Sequence, residues 1–211
     1  MANPQSSECN SLLEEICVKT VDCQTYMMLR ESAEVLEADH CGDKVLRLID
    51  GRIIKLFRRK RLISSVLWYP YAQRFADNSR SLLGLGIAAP VVLDVLKVPS
   101  ISRDVVVYQP VPGMTIRELL RQGISAGEKE RLRTRFVNFV NDLLDRGVYF
   151  RSMHLGNVVY MPDGRFGLID VADVKLYKGS LSWFVRRRFF RRVARFKEEA
   201  LWFESEGRNS A

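Results

Sequence analysis

The sequence has no apolar run long enough to cross a membrane and no segment typical of an export signal. A membrane-spanning helix needs roughly 20 consecutive apolar residues, and every apolar stretch of this chain is much shorter. Residues 1–8 have neither the basic start nor the apolar core of a signal peptide. The sequence therefore predicts a cytoplasmic protein.

Cysteine is also scarce. The 211 residues include four cysteines, all within the first 41 positions, and no Cys-x-x-Cys pair occurs. The only histidine near them is His40, so the spacing matches no common zinc-binding pattern. We expect reduced thiols, as is usual in the cytoplasm, with a zinc site as the less favoured alternative.

The composition is that of a folded protein, but its charge is unevenly distributed. Hydrophobic residues make up 47% of the chain and charged residues 27%, which excludes a disordered protein. A chain of this length forms one large domain or two small lobes. Residues 1–43 contain nine acidic and two basic residues, a net charge of −7, which leaves +15 on the rest of the chain. Such a basic body indicates an anionic partner: phosphate, nucleic acid or an acidic membrane.

The stretch with the clearest chemistry runs from Arg151 to Asp170. A polar loop ending at Asn157 leads into the apolar run Val158–Tyr160, and the Met-Pro-Asp-Gly sequence of 161–164 is typical of a turn. A second apolar run then ends at Asp170. This order predicts a loop and a β-hairpin that bring an amide oxygen and a carboxylate to neighbouring strand ends. Divalent cations bind such oxygen atoms, so Asn157 and Asp170 are candidate metal ligands.

An earlier hairpin is predicted over residues 45–57, where two apolar runs are joined by Asp50-Gly51. Lys55 lies in its second strand, on the face opposite Ile54 and Leu56. Further strands are expected at the β-branched runs 91–93 and 105–108.

Helices are predicted from apolar periodicity and from capping signals. Residues 70–85 begin with proline, carry apolar residues at helical spacing and end in glycines. The sequences of 115–118 and 125–128 each place Glu three residues after Thr or Ser, which is a capping box. Helices should therefore begin at about Ile116 and Ala126.

The motifs of the central stretch resemble those of kinases. Phe150-Arg-Ser152 and Asn157 are similar to the catalytic loop, in which His-Arg-Asp is followed after four residues by Asn. Asp170-Val-Ala resembles the metal-binding Asp-Phe-Gly, and His154-Leu-Gly-Asn157 resembles the His-x-x-Asn variant of small-molecule kinases.

Two upstream segments extend this resemblance. Residues 52–57 are similar to the kinase strand that carries the nucleotide-binding Lys, and residues 108–113 are similar to the hinge. Over about residues 40–200, the order resembles the lipopolysaccharide core heptose kinase-like group, which includes members called toluene tolerance proteins.

The resemblance implies a role for each matching side chain. Lys55 would contact nucleotide phosphates, and Asn157 and Asp170 would bind nucleotide and Mg²⁺. Asp77 would pair with the lysine in place of the usual Glu, because no Glu occurs between Glu37 and Glu118. The alternatives are a solvated Lys55 and an exposed helical Asp77. No Gly-x-Gly-x-x-Gly loop is present.

Ser152 is a departure from the kinase pattern, because it occupies the position of the aspartate that accepts the substrate proton. A serine hydroxyl is not a base near neutral pH. His154, with an ordinary pKa of about 6.5, is the nearby replacement; the alternative is that it only hydrogen-bonds the loop. Asp173 would assist the metal or be an exposed turn carboxylate, and we favour the latter.

The chain end predicts a basic amphipathic helix over Trp183–Phe203. Its apolar stripe steps by three and four residues and is surrounded by seven cations: Arg186, Arg187, Arg188, Arg191, Arg192, Arg195 and Lys197. The stripe would pack on the protein, and the cations would be solvated or would face an anionic membrane or phosphorylated glycolipid. Nucleic acid is a weaker expectation, because no recognisable binding module accompanies the charge.

These observations predict an α+β, protein-kinase-like, two-lobed fold with a minimal C-terminal lobe. Residues 1–40 would be a partly disordered extension, 41–112 the N-terminal lobe and 113–211 the C-terminal lobe. The resemblance implies a phosphotransferase that uses ATP and Mg²⁺ on a lipopolysaccharide core sugar or related envelope glycolipid, peripheral on the inner face of the membrane. The alternatives are a pseudokinase that acts as a regulatory scaffold and, less favoured, a basic RNA-binding domain.

Overall fold

The computed structural model describes residues 18–59, 69–196 and 199–203. It has a mixed α/β architecture that divides into two compact units, Met1–Pro110 and Val111–Ala211. The predicted α+β class is confirmed.

The first unit is built on a six-stranded sheet. Its elements are β1 (Val18–Thr20), α1 (Cys23–Glu31), β2 (Ala33–Asp39), β3 (Gly42–Leu48), β4 (Ile53–Arg58), α2 (Tyr71–Gly84), β5 (Val91–Val98) and β6 (Arg103–Gln109). The strand order is β1-β5-β6-β4-β3-β2. All pairs are antiparallel except β1 with β5.

The predicted Asp50-Gly51 hairpin is formed by β3 and β4, with Val45 opposite Lys55. Ile54 and Leu56 are buried in the core beneath the sheet, whereas Lys55 is partly exposed on the other face. The sheet alternation predicted for Lys55 is thus confirmed.

The helix predicted over 70–85 is α2, and Ala72, Phe75, Ala76 and Leu82 form its buried face, as expected from their spacing.

Residues 18–39 do not form the extension expected from the sequence. They form β1, α1 and β2, and Tyr26 of α1 is buried in the core of the first unit. The segment was hard to predict because its hydrophobic periodicity is weak and its strands are largely exposed. β1 joins the sheet through parallel pairing with β5, from which it is far apart in sequence. The N-terminal part of the predicted extension, 1–17, lies outside the described residues.

The second unit contains two small sheets. Its elements are β7 (Met114–Thr115), α3 (Ile116–Gln122), α4 (Ala126–Asp145), β8 (Val148–Phe150), β9 (Val158–Tyr160), β10 (Phe166–Leu168), β11 (Val174–Leu176) and α5 (Trp183–Val193). The strand orders are β10-β9-β7 and β11-β8. Short 3₁₀ turns occur at Leu155–Asn157, Val171–Asp173 and Ala200–Phe203.

Both capping boxes are present as predicted, and α3 and α4 begin at Ile116 and Ala126. The buried face of α4 includes Phe136, whose ring makes edge-on contacts with Trp202 and Phe203 at centroid distances of 6.1 and 5.1 Å. The 3₁₀ turn that contains Trp202 and Phe203 therefore packs on α4.

The C-terminal helix is shorter than the sequence predicts. It ends at Val193, and hydrogen bonds of the i to i+3 type close the next turn at Arg195 and Phe196. A 3₁₀ turn follows at Ala200–Phe203. Further along the chain, Glu199 accepts a hydrogen bond from Arg117 on α3. Lys197 lies outside the described residues.

Within the described ranges, every helix is too short or too polar to span a bilayer.

Gly147 connects α4 to β8 and has a φ of +78°. A methyl group added there would collide with the backbone oxygens of Tyr177 and Gly179. Gly123 follows α3 with a similar φ of +84° but faces open space. Gly123→Ala should therefore lower the free energy of unfolding by about 1 kcal/mol through backbone strain. Gly147→Ala should cost about 1–3 kcal/mol more because the backbone must also shift.

Urea unfolding of the two variants, side by side, checks this expectation. Equal losses would show that the strand end at Tyr177 moves away without cost.

Candidate functional site

The β9–β10 hairpin places Asn157 and Asp170 next to one another. Val158 pairs with Leu168, and the ladder continues because the Ile169 N–H donates to the Asn157 carbonyl at 3.0 Å. Asp170 is the next residue. The hairpin was predicted from the sequence, and the structure brings the two predicted metal ligands to neighbouring strand ends.

The side chain of Asn157 is oriented by the loop that precedes it. Asn157 is buried, and its Nδ2 donates to the backbone oxygen of Ser152 at 2.9 Å. Among the described residues, its Oδ1 accepts no hydrogen bond. The amide therefore uses its nitrogen to fix the loop and keeps its oxygen for another partner, and an oriented amide oxygen is a suitable ligand for a hard cation.

Asp170 has an unusual backbone conformation. Its φ of 56° and ψ of 44° lie in the left-handed region, which costs a residue with a side chain about 1 kcal/mol or more. It stands immediately before the 3₁₀ turn Val171–Asp173. Backbone strain of this kind is concentrated at functional sites. The backbone geometry and the sequence motif therefore both favour Asp170 as a functional residue.

Asp173 is not the exposed turn carboxylate that we favoured from the sequence. The Ser152 hydroxyl donates a short hydrogen bond to Asp173 Oδ2. Asp173 Oδ1 is fully buried without a hydrogen-bond partner. The prediction failed because Ser152 and Asp173 are brought together by the pairing of β8 with β11, which a local turn pattern does not reveal. Ser152, at the position where kinases have the catalytic aspartate, therefore donates its hydroxyl proton to a carboxylate.

His154 is held by the loop through its Nδ1 atom. The Gly156 N–H donates to Nδ1 at 3.1 Å, and Arg117 Nη2 lies 3.3 Å from the same atom. An Nδ1 that accepts this bond leaves the ring proton of the neutral form on Nε2. Burial, followed by the Arg117 charge, lowers the pKa of His154 below its usual value. This geometry favours the loop-bonding alternative, and the role of His154 as a base stays a prediction.

The Glu199 carboxylate completes this network. Glu199 Oε1 accepts from Arg117 Nη2 at 2.6 Å, and Glu199 Oε2 accepts from the Leu155 N–H at 2.7 Å. Neither Arg117 nor Glu199 was predicted from the sequence. They are 82 positions apart, and neither belongs to a recognisable motif.

Lys55 and Asp77 lie in the first unit. Lys55 Nζ is 5.7 Å from the ring centroid of Phe57 and 5.9 Å from that of Phe75, so aromatic rings border the ammonium group. Asp77 accepts hydrogen bonds from Tyr69 at 2.7 Å and from Gln73 at 3.0 Å. The phosphate-contact role of Lys55 and the nucleotide-site role of Asp77 stay predictions.

A separate group of metal-ligating atoms occurs in the turn between β2 and β3. Asp39, His40 and Cys41 place one ligand atom each within 4.8 Å of one another. His40 and Cys41 are exposed, and Asp39 already accepts the Cys41 N–H at 2.8 Å. The other described cysteine, Cys23, is exposed and not bonded to a second sulfur.

Comparison with known proteins does not assign a family. No protein-family model matches the sequence, and no curated protein matches it. Among solved structures, the chain is similar to the bifunctional kinase-methyltransferase WbdD, with 17% identity and a TM-score of 0.48. The match covers 72% of this chain and 34% of WbdD, so the chain spans about a third of that protein. The kinase resemblance remains a prediction from the motifs.

The network around His154 predicts a specific dependence of stability on pH. Because the folded pKa is lowered, the unfolded chain binds the proton more readily than the folded chain. The contribution of His154 to stability is therefore complete above its unfolded pKa of about 6.5 and is lost as the pH falls below that value. His154→Asn keeps an acceptor for the Gly156 N–H but does not titrate, so its free energy of unfolding should fall less on acidification.

Urea unfolding about one unit above and one unit below pH 6.5 measures this difference. The chain has one other histidine, the exposed His40, and His40→Asn is the matched control, which should behave like the wild type. If the free energy of unfolding of His154→Asn falls on acidification as much as that of the wild type, groups other than His154 cause the acid sensitivity.

Proposed function

We propose that the protein is an ATP-dependent phosphotransferase that acts on a hydroxyl group of an envelope glycolipid, such as a lipopolysaccharide core sugar. The observation that carries the proposal is the orientation of the Asn157 side chain. Its amide nitrogen donates to the backbone oxygen of Ser152, and its amide oxygen remains available at the strand end next to that of Asp170. The acceptor class comes from the motif resemblance, and the chemistry comes from the oxygen ligands.

The side chains present fit a divalent cation. Asn157 Oδ1 and the Asp170 carboxylate would hold Mg²⁺, because both are oxygen donors and the amide is already oriented. When bound, the cation would neutralise negative charge on the nucleotide phosphates. Lys55 keeps the phosphate-contact role expected from the sequence, and the neighbouring Phe57 and Phe75 rings would limit its movement.

Ser152 provides a way to orient the acceptor without a base. Its hydroxyl proton is directed to Asp173, so the oxygen lone pairs remain to accept a hydrogen bond from an acceptor hydroxyl. Phosphoryl transfer relies mainly on positioning and on charge stabilisation rather than on proton abstraction. Ser152 would therefore position the nucleophile, and Asp173 would hold Ser152 in the required rotamer.

A regulatory scaffold without catalysis is the second candidate. It is favoured by the same loop, because no carboxylate occupies position 152 and the Nδ1 of His154 is already hydrogen-bonded. Such a scaffold would keep nucleotide or metal binding and lack transfer. The two candidates therefore differ in turnover and not in binding.

The first test measures binding. ATP with Mg²⁺ at about a hundred times its dissociation constant should stabilise the protein by about 2.7 kcal/mol, seen as a rise in melting temperature. Asp170→Asn should remove the part of this rise that depends on Mg²⁺. Asp163→Asn, the same change at the exposed hairpin turn where Asp163 bonds Arg165, should leave it intact.

If saturating ATP and Mg²⁺ leave the melting temperature of the wild type unchanged, neither the phosphotransferase nor the nucleotide-binding scaffold is correct. Equal losses in both variants would show that the shift reports net charge rather than a metal site.

The second test separates positioning from proton abstraction, with transfer from γ-labelled ATP to lipopolysaccharide core as the measurement. Ser152→Ala removes the hydrogen bond that would position the acceptor hydroxyl, worth about 0.5–1.5 kcal/mol, so kcat should fall about 2–10-fold. His154→Asn should leave kcat nearly unchanged, because it preserves the bond to Gly156. Loss of a general base would instead lower kcat by about 10²–10⁴-fold.

A large loss in His154→Asn would therefore identify His154 as the base and contradict the positioning role given to Ser152. The absence of transfer to any acceptor, combined with ATP binding, would favour the scaffold.

A further inference from the structure

The outward side of α5 combines exposed aromatic rings with exposed arginines. Trp183 and Phe184 are 63% and 77% exposed, the highest values among the aromatic residues of the described chain. One turn further along the helix, Arg187, Arg188 and Arg191 are also exposed. We refer to these five residues as the α5 surface.

The fold accounts for the inward side of α5 and not for the α5 surface. Phe189 and Val193 are buried. Arg186 bonds Asp145 and donates to the Leu181 oxygen at 2.8 Å, and Arg192 donates to the Arg151 oxygen at 2.9 Å. Two of the helix arginines therefore stabilise the second unit, and the other three belong to the exposed side.

None of the three arginines of the α5 surface forms an ion pair with a carboxylate of the described residues, although Arg187 lies over the Trp183 ring at 5.4 Å. Large exposed aromatic rings beside these cations form an apolar and positively charged surface. The complementary partner is apolar and negatively charged.

We propose that the α5 surface binds the interface of an anionic lipid membrane, with Trp183 and Phe184 entering the headgroup region and the arginines contacting lipid phosphates. Interfacial helices have this composition, because tryptophan and phenylalanine partition to the boundary of the acyl chains while arginine binds the headgroups. The surface does not depend on the phosphotransferase proposal. It would bring a phosphotransferase to the lipid face where glycolipid acceptors lie.

Lipid is favoured over nucleic acid by the arrangement of the rings. Trp183 and Phe184 meet edge to face, at an interplanar angle of 79° and a centroid distance of 5.0 Å. Single-stranded nucleic acid stacks successive bases on successive ring faces, and two rings at right angles do not provide such a platform. An aromatic pair of this kind instead presents edges and apolar area to an interface.

Vesicle co-sedimentation tests the electrostatic part. The protein should bind vesicles of phosphatidylcholine with phosphatidylglycerol and should not bind phosphatidylcholine alone. Each arginine at an anionic surface contributes about a fivefold factor in partitioning, so changing Arg187, Arg188 and Arg191 to Gln should lower partitioning on the order of 10²-fold. Binding should also weaken with salt, because screening shortens from about 10 Å at 0.1 M to about 3 Å at 1 M.

The control removes the same charge from another exposed part of the second unit. Arg121, Lys129 and Arg131 lie on α3 and α4, outside the α5 surface, and are exposed. Changing these three to Gln should reduce binding far less than changing the arginines of α5. Equal reductions would show that net charge, and not the α5 surface, attracts the protein to lipid.

Quenching by lipids with brominated acyl chains tests the insertion of the rings. Tryptophan fluorescence should be quenched on binding, and Trp183→Phe should bind nearly as well as the wild type while losing most of the quenching. Changing both Trp183 and Phe184 to Ala should weaken binding, whereas Ile49→Ala, at the highly exposed tip of the β3–β4 hairpin, should have no effect.

Besides equal reductions in the control variant, two results would overturn the proposal: no binding to anionic vesicles, or undiminished quenching in Trp183→Phe. A protein that does not bind vesicles but binds single-stranded RNA would identify nucleic acid as the partner of this surface. The arginine variants should keep the rise in melting temperature that ATP causes. A failure of membrane binding can then be distinguished from a failure of nucleotide binding.

Discussion

The loop that precedes β9 depends on one carboxylate. Glu199 accepts the Leu155 N–H and the Arg117 guanidinium, and Arg117 in turn lies beside His154. Hydrogen bonds to a charged group are worth about 1.5–3 kcal/mol each when their loss leaves a partner buried. The same interaction fixes the loop from which Asn157 is oriented. Glu199 is therefore a structural part of the candidate site, although it lies far from the loop in sequence.

The distribution of charge has two different explanations in the structure. In the first unit, much of the acidic N-terminal segment pairs locally: Asp43 with Arg30, Glu37 with Lys44 and Glu34 with Arg47. Such exposed pairs contribute little to stability, typically about 0–1 kcal/mol each, but they neutralise the sheet surface. The arginines on the outer side of α5 have no such neighbours among the described residues. The proposed anionic partner is therefore better matched by the surface of α5 than by the sheet.

Local signals predicted the elements of the fold, and long-range contacts decided the parts that were missed. Capping boxes and the Asp50-Gly51 turn are complete within a few residues, so periodicity and turn chemistry are sufficient to locate them. The parallel pairing of β1 with β5 is different, as is the bond between Ser152 and Asp173, because each is produced by folding and has no local signature. At the candidate site, turn chemistry predicted the hairpin that carries the candidate ligands Asn157 and Asp170. The residues that orient the preceding loop, Arg117 and Glu199, could not be predicted in this way because they are far apart in sequence.

The left-handed backbone at Asp170 restricts this position twice. The conformation costs least for glycine, asparagine and aspartate, since glycine has no Cβ and the short polar side chains of the other two can bond locally. The proposed cation would select a carboxylate from within that short set. Glycine at this position would keep the backbone conformation and lose the proposed oxygen ligand. The backbone and the proposed chemistry therefore place separate demands on one residue: the left-handed conformation favours three residue types, and the cation favours one of them.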